Sequence, residues 1–112
     1  MKNESERARL QQLQKMLESA GGDVFMVYAM GLEHQKLHEH EQAALAFEKA
    51  IQKDGNYLAA YYQKAISLGA INQIQEALHC LEKGVAVAQT LGDTKSLAEL
   101  KNLHMNLLLE LD

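Results

Sequence analysis

Displaced by 34 residues, this sequence lies on top of itself, and that internal period narrows the available folds more than any other feature. Val27 falls on Tyr61, Tyr28 on Tyr62, Gly31 on Ala65 and Leu32 on Ile66. Further along, Ala43 falls on Ala77, Phe47 on Leu81, Glu48-Lys49-Ala50 on Glu82-Lys83-Gly84, and Ile51 on Val85. Small residues meet small ones and large apolar residues meet large ones, as packing requires. A unit of this length holds two helices and buries its apolar face only against neighbouring units, so the period predicts a stack.

The helical reading rests on apolar spacing. Ala, Leu, Gln, Glu and Lys dominate the 112 residues, and Pro and Trp are absent. These are good helix formers. Leu10, Leu13, Leu17 and Ala20 make a first stripe, which Gly21-Gly22 should end. Asp23 is placed to cap a second helix that runs to about Leu37. His38-Glu39-His40 reads as a corner. A third helix is predicted from about Glu41 to Lys53, stopped by Asp54-Gly55. Asn56 is expected to cap a fourth, ending near Gly69 or Ala70, and Asn72 to start a longer fifth that reaches Leu91 before Gly92. Asp93 or Thr94 should cap the last helix, which carries Leu97, Leu100, Leu103, Leu107 and Leu111 as far as about Leu111. Connections of two to four residues force neighbouring helices to pack antiparallel.

Charge and composition exclude several functions. The net charge is −4, with 11 basic residues scattered among 15 acidic ones, which argues against nucleic acid as a partner. The start, Met1-Lys2-Asn3-Glu4-Ser5-Glu6-Arg7, is too acidic and polar for a signal peptide. No apolar stretch approaches the roughly 18–20 residues that span a bilayer, so no membrane is expected as a partner. The expected address is the cytoplasm. One cysteine, Cys80, leaves no internal disulfide to form.

A 34-residue unit of two helices resembles the tetratricopeptide repeat, whose pattern is W-x2-L-G-x2-Y, then A-x3-F, a small residue and a closing Pro. The first unit reads Val27-x2-Met30-Gly31-x2-His34, then Ala43-x3-Phe47 and Ala50. The second reads Tyr61-x2-Lys64-Ala65-x2-Leu68, then Ala77-x3-Leu81 and Gly84. The closing Pro is replaced by Gly55 and Gln89, and Lys64 stands where Leu is usual. The resemblance implies an all-α fold, a right-handed stack of antiparallel helix pairs forming an α-solenoid. It divides a single domain, 1–112, into an N-terminal half-repeat helix (4–20), two repeats (24–57 and 58–91) and a C-terminal capping helix (93–111).

In this family the first helix of each repeat lines a concave groove that binds other proteins. Carried over by position, the groove is expected to show Phe25, Tyr28, Leu32, Gln35 and Lys36 from one unit. Ala59, Tyr62, Ile66, Gly69 and Ala70 come from the next. Tyrosines pair an apolar ring with a polar tip and suit adaptable contacts. The family's carboxylate clamp needs Lys, Asn and Arg where this chain has Tyr28, Leu32, Tyr62 and Ile66. A partner with an amphipathic helix or apolar segment is therefore expected, and not a chaperone tail. The alternative is a homodimer formed through the groove or the last helix, where Met105, Leu108 and Leu109 fall outside a single stripe.

No enzyme and no cofactor is expected. His34 and His38 lie four apart on one helix face, yet a zinc site needs a third ligand, and neither HExxH nor a Cys pair is present. A His-based metal-binding protein remains the remote alternative. His34 occupies the repeat position where Tyr is common, a packing position. His79 reads as solvated, His104 as a packing residue beside the last apolar stripe, and Cys80 as a small buried hydrophobe. The glycines form no phosphate-binding pattern.

Overall fold

The structure is a computed structural model that describes residues 2–20 and 23–111, with side chains for 4–16 and 23–111. The expected Gly21-Gly22 stop lies outside those residues, as do the side chains of Leu17 and Ala20. Among the described residues every regular element is a helix: α1 (Lys2–Ala20), α2 (Val24–Lys36), α3 (His40–Lys53), α4 (Leu58–Ala70), α5 (Ile74–Leu91) and α6 (Thr94–Leu109). Each helix packs on the next, and α4 also touches α6. The molecule measures 38 × 31 × 19 Å. Its shortest dimension is about two helix diameters, so the helices form two layers.

The period of 34 recurs in the backbone. Helices α2 and α4 begin at Val24 and Leu58 and end at Lys36 and Ala70; α3 and α5 begin at His40 and Ile74. Both corners use the same hydrogen bonds: His38 and Asn72 donate to the carbonyls of Gln35 and Gly69, while Glu39 and Gln73 donate to those of His34 and Leu68. His38 and Asn72 share a left-handed backbone, with φ of 60° and 63°. Asn tolerates that region better than most residues. This corrects the expectation that Asn72 starts the fifth helix; it closes the corner, and Gln73 precedes Ile74. Asn56 likewise does not cap α4. Its backbone N–H donates to the Asp54 carboxylate at 3.0 Å, and Tyr57 occupies the cap position without a side-chain bond.

Other caps follow expectation. The Asp23 carboxylate accepts from the N–H of Phe25 at 2.7 Å, and that of Asp93 from Ser96 at 3.0 Å. Gly92, at φ 69°, ends α5 in the left-handed conformation that glycine adopts without strain. The last helix stops at Leu109, and Leu111, expected in its apolar stripe, is exposed.

Two apolar clusters fill the interior. Val27, Ala43, Phe47, Ala50 and Ala60 make one, and a larger one runs through Tyr61, Ala65, Leu81, Ala88 and Leu100. Phe47 and Leu81, paired by the period, are both fully buried, each contributing about 1.5–3 kcal/mol. Glycine makes room for the first. A Cβ on Gly31 would stand 2.4 Å from the Phe47 ring, so α2 and α3 meet this closely only with hydrogen at that position. Gly84 does the same beneath Tyr61, whose Cβ would lie 3.0 Å from an added one.

Helix α1 is held differently. Of its described side chains only Glu6 and Leu10 are buried. Arg7 pairs with Glu39 at 3.0 Å and Arg9 with Glu33 at 3.1 Å, both arginines being about half exposed. Such pairs contribute about 0–1 kcal/mol each. Glu33 is itself buried, and one of its carboxylate oxygens has no partner, as is true of Glu6.

Candidate protein-binding groove

The expected groove residues recur at three- and four-residue spacings on α2 and α4, so each set shares one helix face. Phe25 is 63% exposed at the start of α2. Tyr28 and Leu32 are half-buried and pack against the smaller apolar cluster. The Tyr28 ring lies 5.5 Å from that of Phe47 and 5.2 Å from that of Tyr57, the latter edge-on. Burial, with the neighbouring Tyr57 second, raises the Tyr28 pKa, while a hydrogen bond from Gln63 opposes the shift. On α4, Ala59 and Ile66 are exposed and Tyr62 is half-buried.

Ala59 and Tyr62 come together in a cleft of 300 Å³ between α4 and α6, with Leu58, Gln63, Ser96, Glu99 and Leu100 as its other walls. The apolar part of this cleft is the Tyr62 ring with Leu58 and Ala59, Leu100 being buried behind them. The polar part is Gln63, Ser96 and the Glu99 carboxylate, for the last of which the described residues offer no ion pair. Gly69 contributes little, because a Leu107 methyl packs 3.3 Å from where its Cβ would be.

Two expected groove residues are occupied. The Gln35 amide donates to the Gln63 carbonyl at 3.3 Å and to Ser67 Oγ at 3.0 Å, joining α2 to α4. Ser67 is fully buried, so this bond satisfies a polar group that would otherwise be stranded. Lys36 pairs with Glu33 at 3.3 Å. Sequence reasoning missed Gln63, which meets Tyr28 and Gln35 and also lines the cleft. Its only signal is its place beside Tyr62, one residue around the helix toward α2.

The remaining candidates are placed as follows. Met105, Leu108 and Leu109 are exposed on α6, at 61%, 45% and 66%. At 100° per residue, Met105 and Leu109 face roughly opposite the buried stripe of Leu100 and Leu107, and Leu108 lies about a quarter turn from it. His34 Nδ1 is 2.9 Å from Glu39 Oε1, and the Glu39 carboxyl sits below its ordinary pKa because of that bond first and Arg7 second. His38 and His40 stack edge-on at 5.9 Å. Among the described residues no group of three or more His, Cys, Asp or Glu is placed to hold a metal ion. His79 is exposed, and His104 meets Glu82 at 3.2 Å. Cys80 is buried, donates to the Tyr61 carbonyl at 3.4 Å, and has its pKa raised to about 11 by burial. A thiol so protonated is a packing group and not a nucleophile.

Lys64, the departure from the family pattern, meets Glu48 of α3 at 2.7 Å. Burial works against the Glu48 charge, yet the bond and charge of Lys64 prevail and hold its pKa below the ordinary value. Among the described residues no helix is long and apolar enough to cross a membrane.

No family model matches this sequence, and no curated protein matches it either. Solved structures do. A tetratricopeptide repeat domain protein from Salinibacter ruber is 27% identical with a TM-score of 0.71, over 76% of this chain and 86% of that one. The TPR2B domain of yeast Sti1, solved as a complex with pHsp70, reaches a TM-score of 0.86 at 21% identity, over 96% of this chain and 86% of that one. A protein of Bordetella parapertussis gives 0.78 at 22% identity, over 90% and 88%. Corners and helix bounds repeated at 34 residues and an α4 that touches both α5 and α6 agree with these likenesses: the chain is a small all-α protein of the tetratricopeptide-repeat fold.

Proposed function

We propose that this protein is an interaction module whose groove, on the exposed faces of α2 and α4 and the neighbouring edge of α6, receives an amphipathic helix or apolar peptide. The observation that carries the reading is the cleft beside Tyr62, open next to the exposed Ala59 and Ile66 and flanked by α6. Phe25 extends the same apolar surface along α2. Aromatic rings beside aliphatic residues, rimmed by Gln63 and Glu99, are the composition of a partner-binding patch. The chaperone complexes of yeast Sti1 support a peptide as the kind of ligand such a fold accepts. The clamp residues are absent here, so the ligand is held by apolar contact more than by a terminal carboxylate. The two repeats, 24–57 and 58–91, supply the groove; α1 and α6 cover the ends of the stack.

Capture from the source cell tests this, using the wild type with Phe25→Ser and Tyr62→Ala. Phe25 is exposed, and Tyr62 is only partly buried against the larger cluster. Loss of the same captured protein in both variants is the expected result, and undiminished capture by both would move the site elsewhere.

A second reading, a homodimer through α6, is favoured by the exposure of Met105, Leu108 and Leu109. Solution mass decides it. A monomer at high micromolar concentration removes this reading, whereas a dimer that Leu109→Glu dissociates supports it.

A further inference from the structure

On the face of α4 opposite Ala59, Tyr62 and Ile66, a second cleft of 570 Å³ opens between α3 and α5. Its volume lies within the range of small-molecule sites, about 300–1,000 Å³. Ile51, Tyr61 and Leu68 give it apolar walls, Lys64 bonds Glu48 across it, and the charge of Lys83 reaches the same Glu48. The side chain of Lys64 is 22% exposed. The 34-residue period matches Lys64 with Met30, so the other unit puts an uncharged side chain in this position. Burying an ammonium there carries a desolvation penalty that methionine does not.

The charges of this cleft are unevenly paired. An ammonium offers three protons; Glu48 accepts one from Lys64 at 2.7 Å, and the described residues accept no other. Lys83 has no hydrogen bond or ion pair among them, although its charge reaches Glu48 and Cys80. The Cys80 thiol is protonated and brings no negative charge. Two lysines and two glutamates thus line the cleft, and Lys83 is the cation among them without a direct partner. The cleft's other acid, Glu76, is seven residues from Lys83 along α5, or about 10 Å.

We propose that this cleft binds a small amphipathic monoanion, with Lys64 and Lys83 holding its carboxylate and Ile51, Tyr61 and Leu68 receiving its apolar body. The site is independent of the groove, since it uses the other side of α4. Amide correlation spectra recorded with decanoate, and separately with decanol, test it at concentrations below micelle formation. Decanoate is expected to shift Ile51, Tyr61, Leu68 and Cys80 saturably, and decanol to bind about tenfold more weakly or worse. Lys64→Met, which installs the residue of the other unit, and Lys83→Ala, on the surface, should each weaken decanoate about tenfold. Tyr62→Ala should leave it unchanged. Equal affinity for decanol, shifts confined to the groove, or full decanoate affinity in both lysine variants would overturn the assignment.

Discussion

Single residues show where the repeat pattern is enforced by contact. Gly31 is the clearest case, because an added methyl would enter the space of the fully buried Phe47 ring. Alanine favours a helix over glycine by about 1 kcal/mol, yet the overlap should reverse the sign. Gly31→Ala is expected to destabilise by about 1–3 kcal/mol in denaturant unfolding, and a gain in stability would show that α2 and α3 can move apart. Cys80 gives a pH signature. Its folded pKa lies above the unfolded one, near 11 against 9.0. The unfolded chain therefore loses this proton first, and stability that is complete below pH 9 is lost as pH rises toward 11. Against Cys80→Ala, the wild type should lose about 2–3 kcal/mol more across that interval; parallel curves would mean that the thiol is wet. Much of this was legible in the sequence. Gly31, Ala43 and Phe47 stand at fixed spacings, and their partners are set by the period. The role of Asn72 was not, because asparagine suits both a helix cap and a left-handed turn, and only the backbone decides between them.

Among the elements, α1 differs from the rest in what holds it. Leu10 is its one buried apolar residue among those described, and the half-exposed arginine pairs add little. Helices α4 and α5 share the larger cluster. Amide exchange should therefore be faster in α1 than in α4 and α5 by about a hundredfold, and the gap should widen with salt as the arginine pairs are screened. Uniform protection across all six helices would contradict this. The cap of α6 is a smaller, cleaner test. Asp93 bonds both the N–H and the hydroxyl of Ser96, so Asp93→Ala should cost about 1 kcal/mol in thermal unfolding. Helix positions could be read from apolar spacing to within a residue or two. The joint between α2 and α4 could not, because Gln35, Gln63 and Ser67 are polar and carry no periodic signal. Their meeting depends on how closely the two hairpins stack.

For the molecule as a whole, the two layers are uneven in what they leave open. One side of α4 shows Ala59, Tyr62 and Ile66 beside α6, and the other shows the charged cleft between α3 and α5. The period revealed the first side through its matched tyrosines and aliphatic residues. It hid the second, since Lys64 registers in the sequence only as a departure from Met30 and from the family's leucine. Its partner Glu48 is on a different helix. Tyr28 also proves to be as much a packing residue as a contact, wedged between Phe47 and Tyr57. The exposed Phe25 and half-open Tyr62 therefore carry the test of binding. The most direct measurement is an amide perturbation map of the protein with an apolar helical peptide selected for binding to it. Shifts gathered on Phe25, Ala59, Tyr62, Gln63 and Ile66, and abolished by Tyr62→Ala, are the result the groove predicts. Shifts on α3 and α5, with Tyr62→Ala binding as tightly as the wild type, would contradict it.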